Sequence, residues 1–123
     1  MARAGVEPAL RVDEASPMKI LALEKEVPNL RSVDFAPYLR AEARRVWELM
    51  QMGILREAHF RQDQRLAVLV LECDQLGQAQ TALESLPLVQ AGLITFELIA
   101  LRPYDGLARL FGDAEAGDLP TNR

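Results

Sequence analysis

Two kinds of hydrophobic spacing follow one another along the chain. From Met18 the run "MKILALEKEV" alternates, with Ile20, Ala22 and Glu24 on one face and Leu21, Leu23 and Lys25 on the other. A period of two predicts a strand. From Phe35 to Met52 the apolar positions fall in steps of three and four: Phe35, Leu39, Ala43, Val46, Trp47 and Met50. That spacing predicts a helix burying this stripe, with Arg40, Arg44, Glu48 and Gln51 toward the other side. Asp34 is placed to cap it, Pro37 is tolerated in its first turn, and Gly53 is placed to stop it.

"ILREAHF" (54–60) and "RLAVLVLEC" (65–73) read as two strands joined by the polar turn "RQDQ" (61–64), hence a hairpin. Regular alternation through the first of these places His59 with Leu55 and Glu57, opposite Arg56, Ala58 and Phe60. A second helix is expected over about 76–86, ended by Pro87. The last strand is expected over 94–101, and "RPYDGLARLF" suggests a turn and a short helix. Residues 1–17 and 112–123 show no sustained period and are expected to be disordered tails around one domain, 18–111. The abrupt onset of pattern at Met18 raises the expectation that Met18 is the natural start, or that the preceding residues are dispensable.

The resulting order is β-α-β-β-α-β, the split arrangement of ferredoxin-like α+β domains, with a four-stranded antiparallel sheet. Its usual strand order puts the first and third strands in the centre. "LAVLVLEC", the most continuously apolar run, suits such a place. Two helices cover one sheet face only, so the other face needs a partner. The simplest partner is the same face of a second copy.

The link "LPLVQAGLI" (86–94) is mostly apolar, unlike an ordinary exposed connector. Pro87 and Gly92 fit a helix stop and a flexible entry to the last strand. Leu86, Leu88 and Val89 either close the core or pack on a neighbouring subunit.

Composition narrows the function classes. A net charge of −4 argues against a dedicated nucleic-acid binder and against docking on an anionic membrane. One cysteine and one histidine exclude an internal disulfide and a Cys/His zinc site. Cys73, flanked by Glu72 and Asp74, is expected to be a small buried hydrophobe. No stretch approaches the length of a transmembrane helix, and the N-terminal residues lack the apolar core of a secretory signal, so a cytoplasmic protein is expected.

No phosphate loop, nucleophile elbow or zinc-protease motif is present, so any chemistry must rest on scattered polar residues lining a pocket. Glu24 is a carboxylate on a central strand. Burial would raise its pKa and make it a plausible base; the alternative is a strand already leaving the sheet. Glu42 and Arg45 flank the apolar stripe of the first helix and could project over the sheet, or form an i,i+3 surface pair. His59 could transfer a proton near neutral pH, or be a surface or interface histidine. Arg56 could bind a carboxylate, or be a solvated strand residue.

The helix "YLRAEARRVWELMQMG", the strand start "ILRE" and above all "LESLPLVQAGLITFELIALRP" resemble the muconolactone isomerase family over roughly residues 18–104. The broader group, the dimeric α+β barrel superfamily, also contains cofactor-free monooxygenases. The resemblance implies a barrel made of two sheets from two subunits, and in the isomerases further assembly to decamers. It implies a double-bond shift in an unsaturated lactone carrying a carboxylate, by proton removal and return, with neither metal nor organic cofactor. By this resemblance Arg56 matches an arginine of the isomerases, and Arg40 and Glu42 match a basic and an acidic position near the start of the first helix. Glu57 stands where the isomerases have histidine, and His59 lies two residues on.

The leading expectation is therefore a cofactor-independent, proton-shuttling isomerase acting on a small acidic or lactone-type metabolite. Glu24, Glu42, Glu57 and His59 are its candidate catalytic groups and Arg40 and Arg56 its candidate anion-binding groups. The expected partners are a small-molecule ligand and further copies of the chain, with no nucleic acid and no membrane. A cofactor-free monooxygenase of the same fold and a non-enzymatic oligomeric binding protein are the alternatives.

Overall fold

A computed structural model describes residues 17–112. The expected tails fall almost wholly outside them, as does the question of what precedes Met18. The strands are β1 (Met18–Lys25), β2 (Leu55–Phe60), β3 (Ala67–Cys73) and β4 (Thr95–Leu101). The helices are α1 (Ser32–Phe35), α2 (Leu39–Gln51), α3 (Leu76–Glu84) and α4 (Pro87–Gln90), with 3-10 turns at Ala36–Tyr38 and Gly106–Leu110. The four strands form one antiparallel sheet in the order β2-β3-β1-β4. The architecture is α+β, with β1 and β3 central.

Alternation in the central strands sets the two faces. Ile20 and Ala22 of β1 and Leu69, Leu71 and Cys73 of β3 are buried beneath the helices. They form the core with Leu49 of α2, Ala79, Ala82 and Leu83 of α3, and Leu86. Cys73 lies in this core, and burial raises its thiol pKa, with Asp74 and Glu72 adding repulsion. On the opposite face Leu21, Leu23, Val68 and Val70 are only half-buried, and Ile99 and Leu101 are exposed.

The expected first helix is broken into three pieces and turned about its axis. Leu39 is 52% exposed and Trp47 60%, and Ala43 and Met50 are exposed as well, so most of the predicted core stripe faces outward, while Val46 of the same stripe packs against the core. The inward side is Glu42, Arg45, Val46 and Leu49, a second i, i+3, i+4, i+7 set, with Leu49 only 1% exposed. Arg31 takes the cap position, and Asp34 sits in the first turn, where its carboxylate accepts the Arg31 backbone N–H at 2.8 Å. Gly53 ends α2 with φ +78°, a conformation that favours glycine.

Pro87 also plays the reverse of its expected part. The helix α3 stops at Glu84, Leu86 is extended, and Pro87 is the first residue of α4. A proline suits that position because its missing N–H would have no intrahelical acceptor. Leu86, Leu88 and Ile94 are buried, so the apolar link belongs to the core of its own chain.

Candidate active site

At one end of the helix–sheet interface, β1 and α2 each bring a carboxylate inward. Glu24 follows Ile20 and Ala22 on the helix-facing side of β1, in register with Phe96 of β4. Its Oε1 accepts the backbone N–H of Ala67, the first residue of β3, at 2.8 Å. The strand is therefore still within the sheet at Glu24. Glu42 points inward from the first turn of α2, and its Oε1 accepts the backbone N–H of Leu88 at 2.9 Å. The expected Glu42–Arg45 pair does not form. Arg45 bonds Ser85 Oγ at 2.8 Å and Glu48 at 3.0 Å instead.

Both carboxylates are half-buried, and both are pushed above the ordinary range for glutamate. For Glu24 the main cause is desolvation, partly offset by the Ala67 hydrogen bond. For Glu42 it is again desolvation, offset by the Leu88 hydrogen bond, with the charge of Glu24 raising it further. Each spends one oxygen on a backbone donor. Among the described residues the other oxygen of each has no protein donor.

The remaining candidate residues lie elsewhere. Arg40 is exposed on α2, on the crest turned away from Glu42. A bulge between Leu55 and Glu57 adds one residue to β2, which overturns the regular alternation expected there. Leu55 is buried under the helices, whereas Arg56, Glu57 and His59 emerge on the opposite, open face of the sheet. Arg56 Nε lies 3.3 Å from Glu72, and His59 Nε2 lies 3.1 Å from Glu57. Arg56, Glu57 and His59 are exposed, and Glu72 is half-buried. The sheet itself thus separates Arg56, Glu57 and His59 from Glu24 and Glu42.

Two surface clefts flank the helices. One of about 430 Å³ lies between α2 and α3, with Arg45, Ser85 and Thr81 on its wall. The other, about 440 Å³, lies between α3 and β4, with Gln80, Glu84 and Thr95 among apolar side chains on its wall. None of the six expected site residues lines either of them. Among the described residues no group of three His, Cys, Asp or Glu side chains converges as a metal site requires, and no helix is long and apolar enough to cross a membrane. Arg45, like Glu42, projects inward, as the first of the two sequence expectations had it. No protein-family model, curated protein or solved structure matches this chain at a significant level.

Proposed function

We propose that the chain is a cofactor-independent isomerase of the muconolactone isomerase kind, acting on a small unsaturated lactone. The observation that carries this reading is the Glu24–Glu42 pair: two half-buried carboxylates with raised pKa values, each anchored by a backbone N–H. A raised pKa lets each carboxyl hold its proton to higher pH than an exposed glutamate does, so the pair supplies a candidate base and a candidate acid together. The ionised carboxylate takes a proton from the carbon beside the lactone carbonyl, and the resulting enolate is reprotonated further along the conjugated chain by its partner. The double bond moves and no atom is gained or lost.

The lactone part of the expected substrate class fits this pair better than the acidic part. A substrate carboxylate would meet two acidic side chains there, while Arg40 faces outward and Arg56 lies across the sheet. We therefore assign Arg56, Glu57 and His59 to the open sheet face rather than to the reaction.

In the same reading the domain is ferredoxin-like and a second copy covers the open face, giving a dimeric α+β barrel in the cytoplasm. Leu21, Leu23, Val68, Val70, Ile99 and Leu101 would form the centre of that contact, with Lys19, Glu97 and the Arg56–Glu72 pair at its margin. Burying each apolar side chain contributes up to roughly 1.5–3 kcal/mol.

The test is solvent exchange. Unsaturated five-membered lactones, with and without a carboxylate, are incubated with the protein in D2O and followed by NMR. The expected result is deuterium incorporation and a shifted double bond in a neutral lactone, slowed about 100-fold or more in Glu24→Gln and Glu42→Gln, as for loss of a general acid or base. No exchange in any lactone, or undiminished exchange in both variants, contradicts the proposal.

A further inference from the structure

We propose that the cleft between α2 and α3 binds a small aliphatic monocarboxylate, its carboxylate held by Arg45 and Gln78 and its apolar body lying along Leu49 and Ile54. Neither Glu24 nor Glu42 lines this cleft, so the inference is independent of the catalytic reading and of the open sheet face.

It starts from the hydrogen bonds already made on the cleft wall. The Arg45 guanidinium is fixed at two of its three nitrogens: Nε donates to Ser85 Oγ at 2.8 Å and Nη1 to Glu48 at 3.0 Å. Ser85 Oγ donates in turn to the Ala82 carbonyl at 2.6 Å, so its own proton is used. Among the described residues Nη2 has no acceptor. On α3, Gln78 Oε1 accepts two backbone N–H groups, that of Asp74 at 2.6 Å and that of Gln75 at 3.2 Å. Only the oxygen of the amide can accept, so these two bonds fix its orientation and leave the NH2 group to donate. Thr81 follows one turn later on the same side of α3 and adds a hydroxyl. Among the described residues no carboxylate lines the cleft.

A wall with unused donors selects a ligand that accepts. A carboxylate is acceptor-only, and its bonds to a guanidinium are roughly twice as strong as neutral ones. An alcohol or an amide brings protons of its own, which Arg45 and Gln78 cannot accept. Glu48 is the more exposed member of its pair, 42% against 29% for Arg45, so water screens its charge more. One guanidinium shared in this way suits a single negative charge rather than a phosphate dianion. The rest of the lining sets the body of the ligand. Leu49, Met52, Ile54 and Ala82 are apolar, and no aromatic ring lies among them. The volume of about 430 Å³ falls in the range of small-molecule sites, about 300–1,000 Å³.

Hexanoate is the probe, with hexanamide as its neutral counterpart and inorganic phosphate as the dianion. Each is titrated into isotope-labelled protein and followed by two-dimensional NMR. Hexanoate is expected to saturate below about 10 mM and to move the Gln78 side-chain amide and the Arg45 Nε–H signals. Hexanamide and phosphate are expected to bind at least about 10-fold more weakly. Arg45→Gln removes the charge. Gln78→Glu keeps an oxygen for the Asp74 and Gln75 N–H groups, as glutamate does at this helix position, and turns the donor into a second acceptor. Each variant is expected to weaken hexanoate about 10-fold or more. Gln78→Glu keeps the test open if circular dichroism finds Arg45→Gln unfolded. Hexanoate that saturates neither signal by about 10 mM, hexanamide or phosphate that binds as well, or binding undiminished in a folded variant overturns the proposal.

Discussion

The carboxylate of Glu42 caps the backbone N–H of Leu88, joining residues 46 positions apart at 2.9 Å. Leu88 is the second residue of α4, so its N–H has no acceptor inside the helix. One hydrogen bond thus ties α2 to the buried Leu86-Pro87-Leu88 entry and holds Glu42 inward. Glu42→Ala leaves that donor unsatisfied and is expected to cost about 1–3 kcal/mol in urea unfolding. Glu42→Gln keeps an acceptor oxygen and is expected to cost less. Equal stability of all three proteins would show that the cap contributes nothing.

The raised pKa values give stability a definite dependence on pH. In the window between the ordinary glutamate value and the raised folded values of Glu24 and Glu42, the folded state holds more protons than the unfolded state. Their contribution to stability therefore increases as pH falls through that window and is lost as pH rises above it. Glu24→Gln and Glu42→Gln should each flatten this part of the curve. The difference between wild type and variant in urea-unfolding free energy, followed across mildly acidic pH, isolates these two groups from the other carboxylates. A difference that does not change with pH contradicts the assignment.

The orientation of α2 makes a contrast between neighbouring leucine positions. Leu49→Ala opens a cavity beneath the helix and is expected to cost about 2–5 kcal/mol. Leu39→Ala removes an exposed side chain and should change the stability of the isolated chain by no more than about 0.5 kcal/mol. Chemical denaturation at a protein concentration low enough to suppress association measures both. Similar losses at the two positions would contradict the rotation.

The open sheet face is tested by Val70→Asp. Val70 stands opposite Leu21 in the centre of the sheet, on the side away from the helices. An aspartate there puts a charge into the proposed dimer contact and leaves the helix-facing core intact. Sedimentation is expected to find a folded monomer in place of the dimer. A variant that remains dimeric shows that the contact lies elsewhere.

Much of the sheet was legible in the sequence because one residue's alternation sets its neighbour's. Ile20 and Ala22 against Leu21 and Leu23, and Leu69 and Leu71 against Val68 and Val70, assign the two faces of the central strands correctly. The first helix was not legible in the same way. It carries two stripes at helical spacing, and the more apolar one, through Leu39 and Trp47, is the one left outside. The inward stripe includes Glu42 and Arg45, whose partners Leu88 and Ser85 come from distant parts of the chain. A single inserted residue at Arg56 likewise reversed the faces of β2, because a bulge shifts the alternation without altering composition. Of the site, Glu24 and Glu42 were identifiable as candidates. Their pairing was not, since only the fold brings β1 and α2 together.

Residue-specific carboxyl NMR titration of Glu24 and Glu42 tests the central claim most directly. The account expects both to titrate above exposed glutamates, and the Glu42 midpoint to move down in Glu24→Gln, where the neighbouring charge is gone. Two ordinary glutamate midpoints, or a Glu42 midpoint indifferent to Glu24→Gln, would contradict it.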